Sequence, residues 1–540
     1  MYISKVEITN FRNFRNFKVN LRQYSVIVGS NKSGKTNLIQ AIRLAIDPSL
    51  RPSERILDET DIWDGPIRGD EDRIVTIVVE LTLVDENEIR LMALVGAVND
   101  GQTARFMYQY PARPKITILG NAQQKSLLAD DENIETEAKR AAYIWVAGAD
   151  GRQKEVNAGT LLTCLSFESL NAFRDAEGLL GSWSRNPLQF LLKSLNIEDK
   201  RLGEIATNVH LQAEELRNER KVGDLVDRIN QRSSGLVGST FATKSDLNVV
   251  TGDSEDLLRS IKLLADGNRT IERTSLGIQN ILYLALLLER ITARLGSNGQ
   301  RQQQLLLALE EPEAHIHPHV QRSIFNYFQN QLAEVKALIV TTHSPNIASV
   351  SPLMSIVVLR DCGLSQGSKA FWVQEDFDDQ DIKDIERYLN VTRAELVFAQ
   401  GVVFVEGIAE QYLIPAFAKA LGINLDHLGI SVIAVDGVNF VPYTKLLSAD
   451  NFNIPFVVLT DLDSQNSEGQ SGESRVNSLF YNIRGQVAKS QDSWTEAGIY
   501  VGRTTLELDL IPTCSFPMIE AYKTFCRPDA VANFKTHLAT

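Results

Sequence analysis

Cysteine is scarce in this chain of 540 residues: there are four, at positions 164, 362, 514 and 526, and none stands in a CxxC pair. That argues against a zinc ribbon or a disulfide framework and leads us to expect a reducing, cytoplasmic setting. Long apolar runs are also missing. No stretch of about 18 uninterrupted apolar residues occurs, so neither a membrane-spanning helix nor a membrane partner is expected. The first residues, MYISKVEITNF, carry charged and polar groups where a signal peptide needs an apolar centre. Net positive charge is lacking too, since 55 Lys and Arg against 68 Asp and Glu leave −13. Such a balance argues against coating of nucleic acid through general positive charge. It leaves room for local basic surfaces and for acidic metal sites. No fixed-period repeat is visible. The 44% hydrophobic and 23% charged residues are ordinary for globular protein and exclude global disorder. At about 100–200 residues per domain, the length predicts three or four domain-sized units.

The opening segment predicts a βα unit. Ser25–Val28 is a short β-branched strand, Gly29–Lys35 a loop, and Leu38, Ile39, Ile42, Leu44 and Ala45 mark a helix. Strands are expected at 73–85, 115–119 and 143–147. From 155 to 234 apolar residues recur at helical intervals among many charges (Leu202, Ile205, Val209, Leu216, Val222, Leu225, Ile229), which predicts a helical insertion. Surface helices of the same domain and a dimerisation arm are both open readings of it. Residues 235–253 are expected to form an irregular link. Helices are then expected at 276–295 and 318–334, with strands at 305–309 and 337–341. From Val402 strands alternate with helices (402–405, 431–435, 456–460, 499–501), which implies a second parallel sheet.

Gly29-Ser-Asn31-Lys-Ser-Gly34-Lys35-Thr36 matches GxxxxGK[ST] between a strand and a helix. Glycines there let backbone N–H groups and the helix N-terminus face phosphates. Lys35 is expected on the β- and γ-phosphates and Thr36 on Mg²⁺. A second strand, 305–309, ends in Glu310-Glu311-Pro312-Glu313-Ala314-His315. In parallel sheets ligand groups sit at strand C-termini, so Glu310 is expected on the metal and Glu311 on the attacking water. His343, after another strand, is expected to hydrogen-bond the γ-phosphate. His315, His317 and His319 alternate, yet the loop-to-helix context favours an ordinary turn over zinc.

Glu406 follows strand VVFV, and Glu410 lies one helical turn later, on the same face. Asp461 follows FVVLT, with Asp463 two residues on. Glu507 sits in TTLELDL, after the strand at 499–501. Five carboxylates at adjacent strand ends suit Mg²⁺ or Mn²⁺, and two such ions would serve phosphodiester hydrolysis.

The phosphate loop, the acidic strand end, His343 and Ser275-Leu-Gly277-Ile-Gln279 together resemble an ABC-type ATPase head of the RecF and SMC-like kind. The resemblance implies that Ser275 and the amide of Gly277 donate to a γ-phosphate bound by a second protomer. Strand–Glu–Gly–helix followed by strand–Asp–x–Asp resembles a Toprim domain. With LEEPEAHIHP, SLGIQN, VTTHSP, FVEGIAE, LTDLD and TLELDL in this order, the whole chain resembles the OLD (overcoming lysogenisation defect) nuclease family. The fold so implied is α/β: an ABC/RecF-like head with a helical insertion, then a Rossmann-like Toprim sheet. The expected domains are 1–154 and 235–396 for the head, 155–234 for a dimerising insertion, and 397–540 for the nuclease. The implied activity is that of an ATP-binding, metal-dependent DNA endonuclease in bacterial anti-phage defence. Glu406, Glu410, Asp461, Asp463 and Glu507 would be the metal ligands, holding two ions, with one more accompanying ATP. The implied partners are DNA, a second copy or a higher homo-oligomer, and a helicase or reverse transcriptase encoded nearby. Glu310 stands where ABC heads usually have aspartate. The lysine that family members carry after TLExDL has only Lys523 and Lys535 as counterparts, with Arg503 as another source of positive charge. An alternative function is an ATP-dependent clamp or sensor whose Toprim domain binds DNA without cutting it.

Overall fold

A computed structural model describes residues 1–63, 65–66, 73–111, 143–149, 152–170, 186–195, 197, 220–248, 258, 261–265, 267, 269–297, 304–331, 335–375, 377–388, 394–462, 472–502, 506 and 509–510. Two compact units emerge, Met1–Trp372 and Val373–Thr540.

In the first unit, strands β1 (Tyr2–Phe11), β2 (Phe14–Asn20), β4 (Val75–Thr82), β5 (Thr103–Tyr110), β6 (Ile144–Ala147) and β7 (Lys154–Glu155) form an antiparallel sheet in the order β2-β1-β4-β5-β6-β7. Its strands alternate buried and half-buried residues, strictly so in β4, because one face meets the core. A second sheet has the order β15-β14-β3-β13-β12-β8. Its strands are β3 (Tyr24–Gly29), β8 (Leu165–Leu170), β12 (Gln304–Glu310), β13 (Val335–Thr342), β14 (Ile356–Asp361) and β15 (Ser368–Trp372). All neighbours in it are parallel except the β14–β15 hairpin. β3 and β12 are apolar almost throughout and buried on both faces, as inner parallel strands are.

Helix Lys35–Ile46 packs between these sheets and is buried nearly all round, at Leu38, Ile39, Ala41, Ile42, Leu44, Ala45 and Ile46. Its C-terminal end is fastened by Arg55. That guanidinium lies 3.6 Å from the Trp145 ring centroid and donates to the carbonyls of Leu44 and Asp47. Trp145 Nε1 donates to Ala45 O at 2.6 Å. Carbonyls that a helix end leaves open are thus satisfied.

Helix Leu276–Ser297 is long and apolar enough to cross a membrane, but 61% of that window is buried within the protein. It packs on helices Pro187–Ser194 and Arg220–Val237. Glu289 on it pairs with Arg232 and, at 3.3 Å, with Arg228. A small three-stranded sheet of β9 (Ser245–Asn248), β10 (Lys262–Ala265) and β11 (Arg269–Thr270) lies beside these elements in the chain.

Two expectations are corrected. The stretch 155–234 is not wholly helical, since β8 within it pairs in register with β12 and forms an edge of the parallel sheet. Arg220–Val237 packs against Pro318–Gln331 and Leu276–Ser297, and it carries helix through Gly235, where an irregular link was expected. The second compact unit runs from Val373 and so takes in residues ahead of 397 as well. Lys445 of that unit reaches Asp381 at 2.7 Å, and Gln374 N donates to Asn451 Oδ1 at 3.0 Å. The strand expected at 115–119 and much of the patterned stretch 199–219 lie outside the described residues.

The second unit has a four-stranded, wholly parallel sheet, β17-β16-β18-β19, as expected. Its strands are β16 (Gly401–Val405), β17 (Ile430–Ala434), β18 (Phe456–Asp461) and β19 (Ile499–Gly502).

Candidate functional site

The register of the first unit's parallel sheet gathers its strand ends. Thr341 and Thr342 of β13 pair with Ile27 and Val28 of β3, Leu359 of β14 with Gly29, and Glu310 of β12 with Thr341. At this edge the loop after β3 turns through Gly34, whose φ of +92° favours glycine, into helix Lys35–Ile46. A cavity of about 710 Å³ opens there. Its lining includes Asn31, Gly34, Lys35, Thr36, Glu311 and His343, together with Asn13, Trp63, Asp361 and Leu364. Gly29 begins the loop at the end of β3.

Lys35 is buried, and its Nζ donates to Gly29 O at 2.8 Å and Ser30 O at 3.0 Å. Desolvation lowers its pKa to about 8, against the pull of Glu311 and Glu313. A cation held short of full solvation at the start of a helix is suited to a polyphosphate.

Glu310 closes β12 and is 6% exposed. Glu311 follows in the left-handed region at φ 47°, fixed by its N–H to Thr341 O at 2.9 Å. Its carboxylate stands 3.5 Å from His343 Nε2. Burial and the Lys35 cation hold the His343 imidazole below its ordinary pKa, which keeps it neutral. Glu313, next in the same turn, accepts from Thr342 Oγ1 at 2.8 Å and from His343 N at 2.7 Å. Burial pushes its pKa up.

That turn also meets the expected signature helix. Asn280 Nδ2 donates to Ala314 O at 2.8 Å, and a Cβ at Gly277 would stand 2.6 Å from His315 O. Gln279 Nε2 ties back to the carbonyls of Ile271 and Thr274. Ser275 is exposed at the helix start, and neither it nor Gly277 lines the cavity of its own chain. The histidines in this turn stack: His317 and His319 rings lie 5.5 Å apart, and Arg322 Nη2 meets His319 Nδ1 at 2.6 Å.

In the second unit, parallel pairing sets Glu406, just after β16, beside Asp461 at the end of β18. The Glu406 carboxylate accepts from Asp461 N at 2.9 Å and from the Thr460 hydroxyl. Asp461 Oδ2 accepts from Leu506 N at 3.1 Å. A Cβ at Gly502 would stand 2.6 Å from Asp461 Oδ1 and 3.0 Å from Asp509 Oδ2, so both carboxylates crowd the end of β19. Glu410 Oε2 accepts from Gly407 N at 3.1 Å, which caps its own helix. Asp463 and Glu507 lie outside the described residues, as do Arg503, Lys523 and Lys535. Among the described residues no three acidic, histidine or cysteine side chains gather as a complete metal set. The donors that are placed are carboxylate oxygens at adjacent strand ends, which fits Mg²⁺ or Mn²⁺ in chemistry and position.

Sequence reasoning missed Glu313, Asn280, Asp361, Leu364, Trp63, Thr460 and Asp509. Glu313 and Asp509 lie inside quoted motifs, so their carboxylates were in view. The hairpin residues had no local signal.

The family described as "Overcoming lysogenization defect protein-like, TOPRIM domain" matches residues 397–463, and "AAA ATPase domain" matches 1–156 and 184–348. The Old nuclease of Escherichia phage P2 is 21% identical over 482 residues, covering 81% of this chain and 73% of that protein. Endonuclease GajA of Bacillus cereus strain VD045 is 22% identical over 483 residues, covering 87% and 77%. The solved C-terminal region of the Burkholderia pseudomallei OLD protein is 36% identical, covering 26% of this chain and 74% of that one, with a TM-score of 0.23.

Proposed function

Because the chain belongs to the OLD family, with an AAA/ABC-type ATPase head followed by an OLD-like Toprim domain, we propose that it is an ATP-binding, divalent-metal-dependent DNA endonuclease. One observation carries this reading: Glu406 and Asp461 stand at adjacent ends of the second unit's parallel sheet, linked by the Asp461 N–H to Glu406 Oε1. Glu406, Glu410, Asp461, Asp463 and Glu507 would hold two Mg²⁺ or Mn²⁺ ions. When bound, such a pair supplies an activated water and a counter-charge for the leaving oxygen.

The chain's own residues prepare that site. The Thr460 hydroxyl and the Asp461 N–H orient the Glu406 carboxylate, and Leu506 N–H orients that of Asp461. In the head, Lys35 and Thr36 take the phosphates, with Gly29, Asn31 and Gly34 shaping the loop around them. Glu310 and Thr36 hold the ion that accompanies ATP. Glu311 positions the water and His343 donates to the γ-phosphate. Ser275, exposed at the helix start, and Gly277 serve the nucleotide of a second copy, so the working form is a dimer or a larger homo-oligomer.

The test is cleavage of plasmid DNA with Mg²⁺ or Mn²⁺ and with ATP present or absent. Glu406→Ala should abolish cutting and leave ATP binding intact, and chelation should abolish cutting by the unaltered protein. Normal cutting by the Glu406 variant sinks the assignment. DNA binding without cutting under any metal favours a clamp or sensor.

A further inference from the structure

We propose that the β14–β15 hairpin, Asp361 to Ser368, is the nucleoside end of the ATP site and sets which nucleotide it accepts. The proposal rests on the ATP-binding reading above. The cavity runs without a break from Lys35 and His343 to Asp361 and Leu364. At about 710 Å³ it has the size of a small-molecule site, and the phosphate loop accounts for one part of its wall alone.

Leu364 is 72% exposed, an apolar side chain at the hairpin tip that lines this cavity. A base laid against it would remove apolar surface from water. Asp361 lies in the same wall, and its Oδ1 accepts from Gly363 N at 2.9 Å. An ionised carboxylate only accepts and has capacity for further donors. A triphosphate offers none and is repelled. A nucleoside offers two kinds, the ribose hydroxyls and the exocyclic amine of adenine. Trp63, in the same lining, is 3% exposed, and its buried indole N–H has no hydrogen-bond partner among the described residues.

The hairpin is held in register with the phosphate loop. Ser368 N donates to Asn13 O at 2.9 Å, and Asn13 Nδ2 donates to Ser368 Oγ at 2.8 Å. Asn13 Oδ1 accepts from Asn37 Nδ2 at 2.7 Å, one residue beyond Thr36. Gly367, at φ +71°, lets this approach occur, since a Cβ there would stand 2.6 Å from the Trp63 ring and 2.7 Å from Asn13 O. The two ends of the cavity are therefore one rigid gauge, with phosphates at Lys35 and the nucleoside at Leu364.

The experiment compares equilibrium binding of ATP, dATP, GTP and inorganic tripolyphosphate, each with Mg²⁺, to the full chain and three variants. Leu364 and Asp361 are exposed and asparagine keeps the acceptor for Gly363 N, so the fold survives. Leu364→Ser should weaken ATP about tenfold and leave tripolyphosphate within about twofold. Asp361→Asn should lose the preference for ATP over GTP, if the amine is read, or over dATP, if the ribose is read, without weakening tripolyphosphate. Unchanged ATP affinity in Leu364→Ser, an equal loss for tripolyphosphate, or retention of both preferences in Asp361→Asn overturns the proposal. Lys35→Ala separates the two levels of inference, because it should weaken all four ligands together. If it weakens none, the ATP-binding reading has failed and this proposal fails with it.

Discussion

Glu313 offers the sharpest test of how the head positions His343. Its Oε1 accepts from Thr342 Oγ1 and His343 N, while Oε2 is enclosed without a partner among the described residues. In Glu313→Ala both donors lose their acceptor. Each stranded donor costs about 1–3 kcal/mol, so the head should lose roughly 2–6 kcal/mol. His343 would then leave its place beside Glu311, and ATP turnover should fall about a hundredfold, the scale seen when one oriented donor is removed. Glu313→Gln keeps the carbonyl acceptor and places an amide NH2, with its two N–H donors, where Oε2 is enclosed, a cost of about 1–3 kcal/mol. Its turnover should stay within about threefold of the unaltered protein. Thermal unfolding and steady-state ATP hydrolysis read the two effects. The pH dependence has a definite sign. Burial raises the folded pKa of Glu313 above its ordinary 4.5, so its contribution is full below that value and is lost as pH climbs through the folded pKa. The Gln variant should lack that slope. An Ala variant with unchanged melting and turnover, or a Gln variant as damaged as Ala, would refute the reasoning.

Lys35 has a lowered pKa of about 8 before phosphate arrives, and bound phosphate must raise it. ATP binding therefore takes up a proton above pH 8, and affinity measured by calorimetry should fall as pH rises from about 8 toward 10. Gly502→Ala should push its new methyl into Asp461 Oδ1, 2.6 Å away. Mn²⁺ affinity, read by calorimetry or electron paramagnetic resonance, should drop while ATP binding persists, and unchanged Mn²⁺ affinity would count against Asp461 as a ligand. Glu289→Ala leaves Arg232, which is 15% exposed, without its charge partner. Thermal denaturation should show a loss on the order of 3–5 kcal/mol, whereas near-neutrality would show that the pair is dispensable to helix packing.

Some of this protein was legible in its sequence because the chemistry is local. The phosphate loop is one contiguous segment, with glycines where backbone must turn and a helix that begins at Lys35, so neighbouring residues alone imply its shape. The alternation of strands and helices after Val402 likewise implied a parallel sheet, and parallel strands place Glu406 and Asp461 at one edge. Other features depend on partners far away in the chain. β8 reads LSFESL amid helical text and becomes a strand through its pairing with β12, more than 130 residues on. The packing of residues 373–396 into the second unit rests on contacts such as Lys445 with Asp381, which no local pattern announces. Glu313 was visible as a carboxylate, but its hold on His343 exists only because β12 and β13 lie side by side. Asp361 and Leu364 occupy an ordinary hairpin turn in the sequence, and only the pairing of β14 with β3 carries that turn to the mouth of the phosphate loop. Sequence alone decides such features where a few adjacent backbone dihedrals suffice. Sheet register decides them where the chemistry needs groups hundreds of residues apart.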